Sequence, residues 1–404
     1  MSLSTQEIIA LGKKSLLGNV NRQPIAFVRG DGLKLWDAEG KEYLDFVGGI
    51  ATCAFGHAPK FAAEVLAEQA GRLWHVSNLY WNEPMVRLAA LLTEASGLDK
   101  AFFCNSGAEA NEAAIKMARK FSYDAHGPGR HVIIAAENSF HGRTMGAISA
   151  TGQPNLHKGF EPMLPGFKFV PFGDAEALAK AVDPTVCAVM LEPVQGEGGV
   201  LVPPADYFPK VSALCREKGL LLILDEVQTG LGRTGSDFAF KNFGVKPDIM
   251  TLGKALGCGY PIGATLAAEG PAGALTPGSH STTIGGAPLA MTLSLELVSR
   301  ILDKDFLAAT RQIGQYFQDG LQTLVGRFPE TVVAARGAGL MLGLVLSKPA
   351  GPVAEALRVK GFLVNATAGT VLRFVPPLIV DNKEVDLLLQ GLSQSLQEVY
   401  PPEG

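Results

Sequence analysis

Between residues 130 and 255 short apolar runs recur at intervals: HVIIAA (131–136), FKFVPF (167–172), VCAVML (186–191), LLLILD (220–225) and DIMTLG (248–253). Runs of this length without polar alternation suit strands buried on both faces. Helical patterns separate several of them, among them AEALAKAV (175–182) and YFPKVSALCREKG (207–219). Strand–helix alternation predicts a mostly parallel central sheet with helices on both sides, an α/β architecture.

The two ends follow other patterns. Residues 25–50 read as hairpins, with turn signals at Gly30-Asp31-Gly32 and Glu39-Gly40. Beyond about residue 300 a long helix is predicted over RQIGQYFQDGLQTLVGRF, followed by strands at LMLGLVL and VLRFVPP. The expected organisation is an N-terminal segment (1–60) that contributes to a smaller α+β domain, a large domain (61–300), and the rest of the small domain (301–404).

In open parallel sheets, ligands bind beyond the carboxyl ends of the strands. Polar residues gather there in this chain. HVIIAA leads into Glu137-Asn138-Ser139-Phe140-His141-Gly142-Arg143, and VCAVML into Glu192-Pro193-Val194-Gln195-Gly196-Glu197. LLLILD ends on Asp225, with Glu226 and Gln228 after it, and DIMTLG runs into Lys254. Taken alone, Asp225 reads first as a carboxylate that caps a neighbouring loop. At the end of so apolar a strand it also wants a cationic partner, such as a protonated pyridine nitrogen. Lys254 follows a buried strand, where partial burial lowers the pKa of an amine and suits it to imine formation; the other reading is a salt bridge to Asp225 or Glu226. The segment from Asn105 to Glu112 opens a helix. Ser106, Gly107 and Ala108 leave backbone amides free for a phosphate, while Ser106 and Glu109 also match a capping box. The two readings are compatible.

Composition narrows the function classes. Of 404 residues 47% are hydrophobic and 18% charged, which favours a large core over disordered segments. The formal net charge of -4, without dense Lys/Arg runs, gives no invitation to nucleic acid or an anionic membrane. Cys53, Cys104, Cys187, Cys215 and Cys258 are odd in number and widely spaced, so neither a metal site nor a disulfide framework is expected. The N-terminus lacks the pattern of a signal peptide, and no apolar stretch reaches membrane-spanning length, so a soluble, cytoplasmic protein is expected. The chain has no GxGxxG after a strand, Walker, HExxH or GxSxG signature, which removes the usual marks of dinucleotide redox chemistry, phosphoryl transfer, zinc proteolysis and serine hydrolysis. His57, His75, His141 and His280 are isolated and read as loop or packing residues.

Taken together, NSGAEANEAAIKMAR, SFHGRT, LEPVQGEGG, LLILDEVQTGLGRTG, PDIMTLGKALGCGYPIGA, HSTTIGG, RGAGLM and VLRFVPPL resemble the class III (subgroup II) aminotransferases of fold type I, in order and spacing, over nearly the whole chain. The resemblance implies pyridoxal 5'-phosphate as cofactor. It implies that Lys254 bonds the cofactor covalently, Asp225 holds its pyridine nitrogen protonated, Gln228 meets the side of the ring hydroxyl, and Phe140 stacks on the ring. Ser106, Gly107 and Ala108 would bind the phosphate. Thr283 would reach the phosphate of the neighbouring subunit, which implies a homodimer with shared sites. Arg143 would take the substrate's α-carboxylate and Arg373 that of glutamate or 2-oxoglutarate, with Glu197 masking Arg373 when the first substrate is present. The implied reaction is a ping-pong transamination of N2-acetylornithine with 2-oxoglutarate, a step of arginine biosynthesis. The alternatives are succinylornithine, ornithine, a carrier-linked lysine precursor or 4-aminobutyrate as donor; an aminomutase on the same fold, which would need no 2-oxoglutarate; and a non-catalytic cofactor-binding regulator. Two carboxylate clamps argue against the last.

One departure stands out. The family usually carries Gly-Gly-Asn before Pro-Leu-Ala, and this chain has Gly285-Gly286-Ala287-Pro288. With Pro288 opening a helix, Ala287 becomes its N-cap, and losing Asn there costs about 1 kcal/mol.

Overall fold

The computed structural model describes residues 3–401. The first strands are the predicted hairpins: β1 (Phe27–Asp31), β2 (Lys34–Asp37) and β3 (Glu42–Asp45), all antiparallel. Gly32 and Gly40 supply the positive φ that these tight turns require.

Seven strands form the large sheet: β4 (Lys100–Cys104), β5 (Val132–Ala136), β6 (Phe167–Val170), β7 (Val186–Leu191), β8 (Leu221–Asp225), β9 (Ile249–Leu252) and β10 (Gly263–Ala267), in the order β4-β10-β9-β8-β7-β5-β6. Every pairing among β5 to β9 is parallel. β10 runs antiparallel to both β4 and β9, so it is the one reversed strand of the sheet. β7 and β8 are buried along their whole length, as their unbroken apolar runs require. The register sets the site. Leu191 pairs with Leu224 and Asp225 with Thr251, so Glu192, Asp225 and the residues leading to Lys254 emerge side by side.

β4 and β10 are not foreseen by hydrophobic patterning, and β10 shows why. GATLA is small rather than bulky, because the helix Gly107–His126 packs on it and Thr265 Oγ1 donates to Ala110 O of that helix (2.8 Å). A Cβ on Gly263 would lie 2.2 Å from Ser106 O. Here close approach of backbone, not side-chain volume, selects the residues, and that approach places the start of the helix.

The C-terminal part holds β11 (Val332–Ala338), β12 (Met341–Leu346), β13 (Phe362–Leu363), β14 (Asn365–Thr367) and β15 (Val371–Phe374). Four of them form an antiparallel sheet, β11-β12-β15-β14. β13 instead pairs in parallel with β3, completing a sheet shared by residues from both ends of the chain. The long helix runs Lys304–Arg327, about two turns earlier than its apolar pattern alone shows, because Asp303 accepts from Asp305 N and Phe306 N (both 3.0 Å). Phe317 stands edge-on to Phe46 and Phe374, so the N-terminal and C-terminal parts pack one core. No helix among the described residues is long and apolar enough to cross a membrane.

Pro288 does open the helix Pro288–Ile301, and Ala287 at its N-cap makes no side-chain capping bond. Ala287→Asn is expected to stabilise the fold by about 1 kcal/mol, read as a higher urea midpoint at unchanged slope. An unchanged midpoint would show that the adjoining loop already satisfies those amides.

Candidate active site

A cavity of about 310 Å³ opens at the carboxyl edge of the large sheet, and Gly107, Ala108, Phe140, Arg143, Glu192, Asp225, Gln228 and Lys254 are among the residues that line it. At its floor lies Asp225, the last residue of β8, only 4% exposed. A carboxylate buried this deeply needs donors. Asp225 Oδ2 accepts from Asn111 Nδ2 (2.8 Å) and His141 Nδ1 (2.7 Å), and Oδ1 accepts from Val227 N (3.0 Å). Asn111 is itself fixed: Thr251 Oγ1 donates to its Oδ1 (2.7 Å), and its Nδ2 also donates to His141 O (2.7 Å).

The fully buried ring of His141 corrects the sequence reading of that residue as a loop or packing histidine. It orients the carboxylate at the centre of the site. Its place directly after Phe140, at the edge where the polar residues gather, was a usable signal. The partner, 84 positions away, was not visible. Asn111 was likewise seen only as part of a helix start.

Lys254 follows β9 on a short 3-10 turn with φ +44, a left-handed backbone that aims its side chain back over the sheet edge. Gly253 makes this possible, since a Cβ there would meet Gly107 Cα at 3.2 Å. No salt bridge or hydrogen bond engages the Lys254 amine among the described residues. Burial is the main cause that pushes it down to about 8; nearby Arg373 adds to the fall, and Glu197, Asp225 and Glu192 oppose it. The salt-bridge reading of Lys254 is therefore not what the structure contains. Glu226 turns away and accepts from Thr229 Oγ1, Ala239 N and Phe240 N (2.8, 3.0 and 2.7 Å). Glu137, also aimed at this edge in the sequence, is exposed and stands outside the cavity.

Only the Ser106 half of the capping box forms, since Glu109 reaches the amide of Asn105 rather than that of the N-cap. Ser106 Oγ accepts from Glu109 N (3.2 Å), and Glu109 Oε2 accepts from Asn105 N (2.6 Å). The amides of Gly107 and Ala108, in the first turn and facing the cavity, have no intrahelical acceptor. A Cβ on Gly107 would clash with Val227 at 2.6 Å, so this end of the cavity is walled closely.

Phe140 N donates to Glu192 Oε2 (3.1 Å). Burial, and then the neighbouring Asp225 charge, hold Glu192 well above the usual carboxylate range. Arg143 is exposed at the rim, its guanidinium carbon 5.4 Å from the Phe140 ring centroid, and it has no carboxylate partner among the described residues. On β15, Arg373 is fully buried. It donates to Glu197 Oε1 (2.5 Å) and Asn365 Oδ1 (2.8 Å), while its Nε has no partner. Burial would raise the Glu197 carboxyl, but the Arg373 charge and hydrogen bond, with help from Lys254 and Gln228, hold it below its usual value. Thr283 is exposed and is not brought to this cavity.

These features test the implied cofactor. A floor carboxylate, a lowered-pKa amine and unpaired amides at a helix start lie around one space, and Gln228 Oε1 is buried there without a partner. The residues fit pyridoxal phosphate: an anionic group at the helix start, a ring nitrogen toward Asp225, a ring oxygen toward Gln228.

Known proteins agree. The sequence profile of the family described as "Aminotransferase class-III" matches residues 17–396. The chain is similar to an acetylornithine aminotransferase of Caldanaerobacter subterraneus subsp. tengcongensis, 49% identical over 97% of this chain and 100% of that one. It is similar to the acetylornithine aminotransferase of Methanocaldococcus jannaschii at 45% identity, over 98% of this chain and 100% of that one. Among solved structures, the N-acetylornithine aminotransferase from Stenotrophomonas maltophilia superimposes with a TM-score of 0.84 at 36% identity, over 98% and 100% of the two chains. An ornithine aminotransferase from Toxoplasma gondii, described with partial occupancy of PLP at its active site, superimposes with a TM-score of 0.93 at 33% identity, over 98% and 94%. With the profile spanning nearly its whole length, the chain belongs to the class III aminotransferases.

Proposed function

We propose that this aminotransferase moves the terminal amino group of N2-acetylornithine to 2-oxoglutarate, giving N-acetylglutamate 5-semialdehyde and glutamate. The observation that carries the reading is an amine without a counter-ion in the cavity, Lys254, within reach of the charges of a buried arginine and the carboxylate that covers it, Arg373 under Glu197. The choice of donor is supported by the names of the relatives at 45% and 49% identity.

Pyridoxal phosphate, when bound, supplies the electron sink that makes a bond at the substrate carbon labile. The protein does the rest. Ser106, Gly107 and Ala108 hold the phosphate at the helix start, where free amides and the helix dipole favour an anion. Phe140 would pack against the ring, Gln228 would meet the ring oxygen, and Asp225 would pair with the ring nitrogen. Lys254 would hold the cofactor covalently at rest. Its Nζ then carries the proton removed from the substrate, a role suited to an amine with a pKa of about 8. Arg143 receives the donor's α-carboxylate at the rim. Glu197 covers Arg373 while this neutral-tailed donor is bound, and swings away when the second carboxylate of glutamate or 2-oxoglutarate competes for it.

The proposal includes a cytoplasmic homodimer with shared sites. Thr283 is exposed and does not line the cavity of its own chain, and Trp74, Leu79, Tyr80, Trp81 and Ile284 are exposed as well. Asn78 Nδ2 donates to Thr282 O and Gly285 O (2.9 and 3.2 Å), which joins these residues into one surface. Exposed aromatics on this scale suit a subunit interface. The division into residues 1–60, 61–300 and 301–404 belongs to the same reading. It is supported by the pairing of β13 with β3 and by the confinement of the large sheet to residues 100–267.

Two measurements check this function. Borohydride reduction of the holoenzyme followed by peptide mapping is expected to label Lys254, and a label on Lys116 or Lys241 would remove it from its role. In single-turnover assays acetylornithine is expected to exceed ornithine and 4-aminobutyrate in kcat/KM, since an amine misplaced by about 1 Å loses on the order of a hundredfold. Glu197→Ala leaves Arg373 uncovered, so the rate with glutamate should rise relative to that with acetylornithine. An unchanged ratio would leave Glu197 a loop-structuring carboxylate, and a parent that prefers 4-aminobutyrate would overturn the donor.

A further inference from the structure

Arg143 is exposed, and its hold on a carboxylate depends on what fixes its loop. The short helix Met145–Ala150 begins just after it, with Thr144 at the N-cap. Thr144 makes no side-chain capping bond to its own helix. The cap comes from elsewhere. Glu112, on the helix Gly107–His126, lies outside the cavity, and its Oε1 accepts from Thr144 Oγ1 (2.5 Å), Gly146 N (2.8 Å) and Ala147 N (3.2 Å). The fit is close: a Cβ on Gly146 would lie 2.3 Å from Glu112 Oε2. A negative group at the start of a helix also interacts favourably with its dipole.

We propose that Glu112 is a positioning residue for donor recognition, which fixes Arg143 in the place where it meets the donor's α-carboxylate; this rests on the role given to Arg143 above. The geometry supplies two reasons. First, the helix that offers Gly107 and Ala108 at its first turn carries Glu112 five residues on, about 7.5 Å along the axis. One rigid element thus sets both the phosphate end of the cavity and the Arg143 loop, so the distance between them does not drift. Second, the Oε1 atom of Glu112 is engaged by the loop, and no salt bridge forms between Glu112 and Arg143 among the described residues. The carboxylate anchors the arginine without neutralising it. On the other side of the same loop, Asn111 holds His141 O, so neighbouring positions of one helix grip both flanks of the Arg143 segment.

The test uses holoenzyme and a matched pair of donors. N2-Acetylornithine and N-acetyl-1,4-diaminobutane differ only in the α-carboxylate. N-Acetylnorvaline, which keeps the carboxylate and lacks the reactive amine, reports binding alone. Glu112→Ala is expected to raise KM for acetylornithine and Kd for N-acetylnorvaline on the order of tenfold, with kcat within about twofold and the carboxylate-free donor unchanged. Glu112→Gln, a neutral acceptor of the same shape, should stay within about threefold of the parent. Thr144→Val, which removes one bond of the three and keeps the helix amides capped, should shift KM in the same direction by a smaller factor. It keeps the test decisive if Glu112→Ala folds poorly. Equal losses for both donors would make Glu112 a general structural residue, and no loss for either would remove the role; both results overturn the proposal. A parent enzyme that fails to discriminate between the two donors overturns the Arg143 reading itself, before any variant is compared.

Discussion

A carboxylate buried at the end of a wholly apolar strand organises this molecule. Left without donors, a buried acceptor costs about 1–3 kcal/mol, and more when charged. Asp225 meets that demand with three donors from separate parts of the chain: Asn111 from a helix, His141 from the loop after β5, and Val227 from its own loop. Satisfying one side chain therefore fixes the helix that starts at Gly107 and the loop that carries Phe140 and Arg143. Thr251 on β9 joins the same network through Asn111, which places the strand leading to Lys254. The cavity is the space these elements enclose.

A second buried charge ties the C-terminal part to this frame. Arg373, on β15, is held by Glu197 from the loop after β7 and by Asn365. Thr367 Oγ1 donates to Glu197 O (2.8 Å), and Arg336 donates to Gly199 O through Nε and a terminal nitrogen (3.1 and 2.7 Å), so the loop bearing Glu197 is gripped by the small antiparallel sheet. Arg233, from the loop after β8, donates to Leu340 O and Pro376 O (2.9 and 2.6 Å) and crosses the same boundary. A buried ion pair is a weak source of stability and is broken only at a cost. That suits the exchange proposed above, in which the arginine would stay in place while the carboxylate opposite it changes.

Much of this was legible in the sequence, where local pattern and tertiary demand agree. β5 and β7 to β9 show as apolar runs because both faces are buried, whereas β6, expected to be buried in the same way, is the edge strand and leaves Phe169 exposed; the parallel arrangement follows from the helices between them. The polar residues at their ends mark the site, and the quoted motifs mark the family. Legibility fails where the deciding contact is distant or the determinant is closeness of backbone. GATLA does not read as a strand, because a helix lies on it and small residues are what fit. His141 does not read as part of the site, because its partner is on another strand. Asp225 and Glu226 look alike in a string, yet neighbouring residues point opposite ways, and only one reaches the cavity. The long helix begins before its apolar pattern because Asp303 caps it, a signal that periodicity does not carry.

The central claim is that Asp225, oriented by Asn111 and His141, keeps the cofactor's ring nitrogen protonated. The direct test is the nitrogen-15 NMR shift of ring-labelled pyridoxal phosphate bound to the parent protein and to Asp225→Asn. The account predicts a protonated ring nitrogen in the parent and an unprotonated one in the variant. An unprotonated nitrogen in the parent, or the same shift in both proteins, would contradict it.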